Sequence, residues 1–374
     1  MLKRDIWKRF DFLLFTAVLL LCIFGVALVS SAIAGNIALA DHARRQAIFA
    51  GIGMVVLFIV SMIDYHYWQS LGRFVYGGTV FLLVLTFISG QVSFGAARWL
   101  SVGLVNVQPS ELAKIALILS LSYYLSRNVE KINNFWVLAR SFIIALGLII
   151  WIFLQPNLSN TMVLLVIWAL MVWISGLKSK YILIFLLIVI VFLGVSIATD
   201  FPYLADYQKA RVETFLRPDP EARYGDTYNV DQAEISIGSG GWFGQGYGQG
   251  SQVQLRFLKI RVSDFIFSVL GNEFGFVGTT IVMLLILFVI IRCFMVAQQA
   301  PDAYGALLCY GFGVLMAFQT MVNVGVNLRV LPVTGLTLPF ISYGGSSIVT
   351  MLLGIGLVQS VRMRSEENKE KLKA

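Results

Sequence analysis

The chain has 374 residues, of which 58% are hydrophobic and only 13% are charged, and it carries a net charge of +8. Soluble domains carry about 25% charged residues, so this composition excludes the ordinary soluble class and indicates a protein embedded in lipid. The positive residues cluster in short loops and near both ends, where they orient membrane helices, so the charge does not indicate a nucleic-acid-binding protein. The two histidines and three separated cysteines form no zinc or redox motif.

Ten apolar runs are predicted to cross the membrane as helices, since about 20 apolar residues are enough to span the hydrocarbon core. The first is predicted to be a retained helix rather than a removed signal peptide, because no cleavage site in polar context follows it. In chain order the runs are 12–40, 46–63, 74–90, 111–125, 137–154, 161–176, 181–199, 264–291, 304–328 and 339–361. The sequence therefore predicts an all-α polytopic membrane protein with a single transmembrane domain over residues 1–374.

The distribution of lysine and arginine predicts the orientation of these helices. With both ends inside, the inner loops and the ends hold 16 basic residues, whereas the short outer loops hold four. Because positive loops stay on the cytoplasmic side, both termini are predicted to be cytoplasmic, with a cytoplasmic tail over about 362–374. The same orientation leaves one long extracytoplasmic loop, about 201–262, between helices 7 and 8.

This long loop is predicted to be a folded cap. Its length far exceeds the usual connection of about 4–6 residues, which makes it either functional or disordered, and its aromatic residues favour the first. Its centre, 238–250, is rich in glycine but lacks the helix and Lys-Ser/Thr of a phosphate-binding loop. The glycines are instead predicted to make tight turns where the backbone passes close to its surroundings.

Ionisable residues at predicted membrane depth are costly and mark candidate functional sites. Glu111 and Lys114 are three residues apart on one predicted helix, so they can form a local ion pair or line a cavity. Asp264 stands at the outer start of the eighth run, where it can cap the helix or take part in chemistry. Glu273 lies deeper, where a buried carboxylate can hydrogen bond across helices. Spacing alone leaves these alternatives open.

Six motifs, in their order along the predicted spans, resemble those of the shape, elongation, division and sporulation family, which includes the RodA and FtsW glycan polymerases. The resemblance covers nearly the whole chain, and the order of the motifs makes it specific. The motifs are Ala97-Arg98-Trp99-Leu100, Gln108-Pro109-Ser110-Glu111-Leu112-Ala113-Lys114, Asp206-Tyr207-Gln208 with Arg211, Ile237-Gly238-Ser239-Gly240-Gly241 with Gly244-Gln245-Gly246, Asp264-Phe265-Ile266-Phe267, and Pro339-Phe340-Ile341-Ser342-Tyr343-Gly344-Gly345-Ser346-Ser347.

The resemblance implies a peptidoglycan glycosyltransferase of the bacterial cytoplasmic membrane. Lipid II, the undecaprenyl-pyrophosphate-linked disaccharide pentapeptide, is donor and acceptor, and the acceptor 4-hydroxyl attacks the donor's anomeric carbon with inversion. Asp264 matches the family's essential aspartate and is predicted to be the general base. Basic side chains are predicted to neutralise the departing pyrophosphate, with Mg²⁺ or Mn²⁺ as an alternative. The implied partner is a class B penicillin-binding protein, which is a transpeptidase.

The remaining predicted site residues form two groups, and two stretches depart from the family pattern. The predicted substrate-binding residues are Lys114, Glu111, Arg211, Arg98, Ser342 and Ser346. The predicted structural residues around the site are Glu273, Asn157 and Gln108. Asn157 stands where the family usually has an aspartate, and Leu258-Lys259-Ile260-Arg261-Val262-Ser263 replaces an acidic, proline-containing approach to Asp264.

The branch of the family and the function each have alternatives. Ile63-Asp64-Tyr65 and Asp206-Tyr207-Gln208 resemble the elongation branch, whereas Asn323-Val324-Gly325-Val326-Asn327 and Gly335-Leu336-Thr337-Leu338-Pro339 also resemble the division branch. The RodA-like role in elongation and rod-shape maintenance is favoured. The alternatives are an FtsW-like division polymerase, a transporter that flips lipid II, and a divergent, non-catalytic scaffold for cell-wall assembly.

Overall fold

A computed structural model describes residues 7–33, 39–89, 91–93, 96–102, 105–185, 226–258 and 260–371, together with residues 187, 191 and 215. The chain divides into two compact units. The first unit comprises Met1–Tyr67 and Pro220–Ala374, and the second comprises Trp68–Asp219. The single domain that the sequence suggests over 1–374 stays a prediction.

Helices make up most of the described structure. In chain order they are α1 (Phe12–Ile33), α2 (Asp41–Met62), α3 (Tyr65–Ser89), α4 (Pro109–Ser126), α5 (Phe135–Leu154), α6 (Leu158–Ile174), α7 (Asp226–Gly240), α8 (Ser251–Gln254), α9 (Ile266–Gln299), α10 (Ala303–Asn327) and α11 (Gly345–Lys371). The strands are β1 (Gln91–Ser93), β2 (Ala96–Val102) and β3 (Val105–Val107). Two short 3₁₀ turns lie at Trp7–Arg9 and Val129–Lys131.

Among the described residues, seven helices are long and apolar enough to cross a membrane, which makes the chain a multi-pass membrane protein by length and composition. They are α1, α2, α3, α5, α9, α10 and the Gly345–Ser365 part of α11. The predicted runs 111–125 and 161–176 are helical in α4 and α6, but neither is among the seven, and α6 is a shorter apolar helix. The predicted run 181–199 lies mostly outside the described residues. The count of ten spans therefore stays a prediction.

The long helices are apolar on both faces, as α1 illustrates. Leu14, Leu21 and Leu28 are fully buried, and their spacing places them on one face of the helix. Phe12 and Leu13 are more than 60% exposed. Because lipid tails are as apolar as the protein interior, the outward positions stay hydrophobic. Hydropathy therefore locates such helices but does not show which face packs inward.

A small sheet in the second unit departs from the all-α prediction. β1, β2 and β3 form an antiparallel meander in that order, with Gln91 opposite Trp99 and Leu100 opposite Val107. The chain then enters α4 at Pro109, a position where proline is favoured because its missing N–H has no helical partner. The strands are only three to seven residues long, too short to stand out as a pattern beside the apolar runs.

The glycine-rich loop, residues 241–250, completes the hydrogen bonding of a break in α9. Gly275 has φ 64° and ψ −164°, which interrupts the helix. The N–H of the next residue, Phe276, donates to the carbonyl of Gly241 at 2.8 Å, and Val277 donates to Trp242 at 3.0 Å. Irregular backbone is tolerated in a membrane protein where its polar groups are satisfied internally, and the glycine-rich loop provides those partners.

Close approach of the two backbones depends on glycine. A Cβ built on Gly244, which has φ +79°, would lie 2.1 Å from the carbonyl oxygen of Glu273. The prediction that these glycines let the backbone pass close to its surroundings is therefore confirmed. Helix α7 precedes the loop, so the described part of the long segment 201–262 is folded; its extracytoplasmic location stays a prediction.

Candidate active site

Asp264 lies immediately before the N-terminal end of α9 and is half-buried. The N-cap residue is Phe265, and its own side chain makes no capping hydrogen bond. Asp264 is therefore not the N-cap residue of α9. Its carboxyl approaches the irregular segment between α10 and α11, because a Cβ built on Gly335 would lie 3.5 Å from Asp264 Oδ2.

The backbone leading to Asp264 is held by the segment that precedes α11. The N–H of Tyr343 donates to the carbonyl of Val262 at 2.8 Å. The hydroxyl of Ser342 donates to the carbonyl of Ser263, also at 2.8 Å. Two successive carbonyl groups thus have fixed partners from a distant part of the chain.

The carbonyl oxygen of Asp264 accepts two further hydrogen bonds, from the side-chain amides of two residues in α10. Its distance is 3.1 Å from Asn323 Nδ2 and 2.9 Å from Asn327 Nδ2. Both asparagines are buried. In the sequence they serve only as markers of the family branch, so this contact was missed. The signal that could have found it is a pair of amide side chains four residues apart on an apolar helix, since buried amides need partners.

The motif around Ser342 is itself anchored. The Ser342 hydroxyl accepts from the N–H of Leu338 at 2.8 Å, and the residue is 4% exposed. Gln46 of α2, which was not predicted, donates to the Ser342 carbonyl at 3.0 Å and accepts from the N–H of Gly344 at 3.2 Å. Ser346 lies half-buried in the first turn of α11. The substrate contacts expected of Ser342 and Ser346 stay predictions.

Arg261 anchors the segment before α9 to the C-terminal end of α1. Its guanidinium donates to the carbonyls of Ala32, Ile33 (3.0 Å) and Leu258 (3.2 Å). The last carbonyls of a helix lack intrahelical donors and carry partial negative charge, so a cation suits this position. Burial lowers the pKa of the Arg261 guanidinium, and the charge of Arg256 lowers it further. A residue that departs from the family pattern thus has a structural partner here.

Glu273 is almost completely buried in α9, at 1% exposure. The hydroxyl of Ser31 in α1 donates to its Oε1, which confirms the predicted hydrogen bond across helices. Its side chain also lies against the glycine-rich loop, because a Cβ built on Gly250 would lie 3.1 Å from Glu273 Cγ. Its Oε2 has no hydrogen-bond partner among the residues that the structure describes. The carboxyl therefore joins α1, α9 and the glycine-rich loop.

The second unit holds the predicted ion pair. Lys114 Nζ lies 2.5 Å from Glu111 Oε1, and both residues are buried, which confirms the contact expected from their spacing. Asn157 is the N-cap of α6 and accepts from the N–H of Asn160 at 3.4 Å. Asparagine and aspartate cap helices about equally well, so the departure at Asn157 preserves this function.

Other sequence predictions are not tested by the described residues. Gln108 precedes α4, where its carbonyl accepts from the N–H of Glu111 at 3.0 Å, but this does not test its expected role. Arg98 lies in β2 with its side chain outside the described residues, and Arg211 lies outside them altogether. Within the described part of the chain, no group of three or more His, Cys, Asp or Glu side chains could hold a metal ion. The divalent cation stays a prediction.

Known proteins match this chain along nearly its whole length. The family model for FtsW, RodA and SpoVE, described as "Cell cycle protein", matches residues 11–367. Stage V sporulation protein E of Bacillus subtilis is 35% identical over 370 residues, which cover 94% of this chain and 96% of that protein. A probable peptidoglycan glycosyltransferase FtsW of Geobacter sp. strain M18 is 34% identical over 364 residues, with coverage of 94% and 96%.

Two solved structures have a similar fold. One, described as the structural coordination of polymerization and crosslinking by a peptidoglycan synthase complex, contains a chain that is 29% identical with a TM-score of 0.82. The match covers 95% of this chain and 98% of that one. The crystal structure of Thermus thermophilus rod shape determining protein RodA is 28% identical with a TM-score of 0.70, and the match covers 95% and 97%. The similarity is therefore not confined to single motifs.

Proposed function

Because the chain belongs to the FtsW/RodA/SpoVE family of cell cycle proteins, we propose that it is a peptidoglycan glycosyltransferase with Asp264 as its general base. Lipid II is the proposed donor and acceptor. The relative from Geobacter is named for this activity. The observation that carries the role of Asp264 is its placement: the main chain is held by two buried amides, and the residue is half-buried at the beginning of α9.

The proposed reaction joins two molecules of lipid II. The carboxylate of Asp264 takes the proton of the acceptor 4-hydroxyl as that oxygen bonds to the donor's anomeric carbon. The bond from this carbon to pyrophosphate breaks at the same time, and the pyrophosphate leaves with the electron pair, so the anomeric configuration inverts. Partial burial favours this role, because desolvation destabilises a carboxylate and makes it a better base.

The pyrophosphate needs positive charge as it departs, and Lys114, Arg98 and Arg211 are the proposed sources. Among the described residues, Lys114 Nζ has one hydrogen-bond partner, Glu111. An ammonium has three N–H donors, so this single bond leaves capacity for phosphate oxygens. Glu111 is proposed to orient Lys114 rather than to react.

We further propose a location in the cytoplasmic membrane with both termini inside, and a class B penicillin-binding protein as partner. The partner is supported by the similar structure, which is of a complex that coordinates polymerization and crosslinking. Elongation is the proposed process, on the resemblance of Ile63-Asp64-Tyr65 to that branch. Depletion in rod-shaped cells should then produce rounded cells, whereas filaments would assign the chain to division.

Reconstitution tests the activity and the base together. The purified protein and its transpeptidase partner are given lipid II in detergent, and glycan polymer is measured on gels. Wild type should form polymer, and Asp264→Asn should lose about 10²–10⁴-fold in rate, the range for removal of a general base. Asp231→Asn is the matched control, because it makes the same chemical change in an ion pair with the partly exposed Arg329.

The outcomes separate the alternatives. Polymer from wild type and Asp231→Asn, but not from Asp264→Asn, supports the proposal. Wild-type rates from Asp264→Asn would remove the base assignment and leave the activity. No polymer from wild type would favour a transporter or a scaffold, and translocation of labelled lipid II across liposomes would then distinguish those two.

A further inference from the structure

We propose that Asn327, assisted by Asn323, is a positioning residue that keeps Asp264 from becoming the N-cap of α9 and thereby sets where its carboxyl lies. The proposal rests on the proposed function, since it concerns the same base. The side-chain amide of Asn327 lies between two backbone groups. Its Nδ2 donates to the carbonyl of Asp264 at 2.9 Å, and its Oδ1 accepts from the N–H of Ser268 at 3.1 Å.

Those two backbone groups are natural partners of each other. In an α-helix the N–H of each residue bonds to the carbonyl four residues earlier, which pairs Ser268 with Asp264. The inserted amide of Asn327 satisfies both groups and replaces that bond. The N–H of Ser268 instead shares the carbonyl of Phe265 at 3.1 Å, the tighter spacing typical of helix ends. For this reason α9 begins at Ile266.

Asn323 closes the same network. Its Nδ2 donates to the carbonyls of Asp264 at 3.1 Å and Leu336 at 2.7 Å. The Nδ2 of Asn327 has its second bond to the carbonyl of Asn323, at 2.8 Å. An amide has two N–H donors, so all four are used. All four bonds end on main-chain carbonyls, and two of them fix the Asp264 main chain through its carbonyl oxygen.

Removal of the Asn327 side chain leaves the carbonyl of Asp264 and the N–H of Ser268 without the amide between them. The direct helical bond between the two is then the available replacement. Forming it starts α9 one residue earlier, at Phe265, makes Asp264 the N-cap and thereby moves its carboxyl. Because both asparagines act on the main chain of Asp264, their removal should slow the reaction step and leave substrate binding unchanged.

Steady-state kinetics of the reconstituted protein with its partner and lipid II test this. Asn327→Ala should lower kcat about 10²-fold, as expected for a displaced reacting group, with KM close to wild type. Asn323→Ala should lower kcat by a smaller factor, since the amide of Asn327 remains between Asp264 and Ser268. Ser268→Ala removes the hydroxyl that donates to Asn327 Oδ1 at 2.6 Å but keeps the backbone N–H, so it should lower kcat by a smaller factor than Asn327→Ala. Asn272→Ala is the matched control, since its buried amide donates at 2.7 Å to Ser239 and not to Asp264. This control should keep the wild-type kcat.

The structure of the Asn327→Ala protein gives a readout that does not depend on activity. A direct bond between Ser268 N–H and the Asp264 carbonyl is expected, and an unmoved Asp264 would overturn the proposal. Wild-type kcat in Asn327→Ala, or an equal loss of kcat in Asn272→Ala, would also overturn it while the role of Asp264 as base stands. If wild type makes no polymer, the proposed function fails first, and the variant structure still decides whether Asn327 holds Asp264.

Discussion

Asp264 and Glu273 belong to the same stretch of chain at the beginning of α9, yet they are held in opposite ways. Asp264 is fixed through its main chain, by the amides of Asn323 and Asn327, and its carboxyl is half-buried. Glu273 is fixed through its side chain, by Ser31, and is almost completely buried. The main chain of Asp264 is thus fixed by contacts to its carbonyl oxygen, whereas the carboxylate of Glu273 itself links α9 to α1. This difference supports the chemical role proposed for Asp264 and a packing role for Glu273.

The largest expected effect comes from moving the reacting carboxyl. Asp264→Glu keeps the charge but displaces the carboxylate by one methylene, which should lower the rate of polymer formation about 10²-fold. Its melting temperature should stay near wild type because the side chain is half-buried. Glu273→Gln keeps an acceptor for Ser31 and should retain the wild-type rate. Equal losses of rate in Asp264→Glu and Glu273→Gln would contradict the different roles given to the two carboxyls.

The next effect concerns the loop that supports Glu273. Gly244→Ala should lower the free energy of unfolding by roughly 2–5 kcal/mol, because the residue has φ +79° and its Cβ would clash with the Glu273 carbonyl. Gly238→Ala is the matched control, since a Cβ there meets nothing within 4 Å. Melting temperatures in detergent measure the difference. Identical values for the two variants would contradict the role given to the glycine-rich loop.

Features that depend on nearby positions in the chain could be predicted from the sequence. Hydropathy located the seven helices that are long enough to span a membrane, and a spacing of three residues located the contact of Glu111 with Lys114. The meander β1–β3 and helix α7 were missed, because their residues carry no distinctive period and their positions depend on partners. The break in α9 was also missed, since a lone glycine in a helical pattern has no unique consequence.

The candidate site was predictable only in part. Resemblance identified Asp264, but not the groups that hold it, because those contacts join distant positions. Asn323 is 59 residues from Asp264, and Gln46 is 296 residues from Ser342, whose carbonyl it binds. Arg261 was noted only as a departure from the family, and its partners at the end of α1 could not be inferred from one sequence. Buried amide and guanidinium groups in apolar surroundings are the sequence signal for such contacts.

A smaller effect is expected from the packing of α1 against the segment that precedes α11, which also holds the backbone next to Asp264. Gly25→Ala in α1 would place a Cβ 2.5 Å from the carbonyl oxygen of Phe340, a buried residue with φ 64°. Overpacking of this kind costs about 1–3 kcal/mol. Because Phe340 is close in sequence to Ser342, which bonds the chain before Asp264, the rate of polymer formation should fall as well.

Gly51→Ala in α2 is the control for Gly25→Ala, because its Cβ meets nothing within 4 Å. It should leave both the rate and the melting temperature unchanged or raise the melting temperature slightly, since alanine favours a helix over glycine. A normal rate in Gly25→Ala together with a lower melting temperature would mean that the segment before α11 supports the fold but not the base.

The smallest effect is expected from removal of the Ser31 hydroxyl, which donates to the carboxyl of Glu273. Ser31→Ala should cost about 1 kcal/mol of unfolding free energy, the usual contribution of a single hydrogen bond. Ser61→Ala is its control, since the buried hydroxyl of Ser61 donates to the carbonyl of Phe58 in the same helix, at 2.8 Å. Both variants should form polymer at the wild-type rate. A selective loss of rate in Ser31→Ala would place Glu273 in the reaction, because the Ser31 hydroxyl donates to that carboxyl.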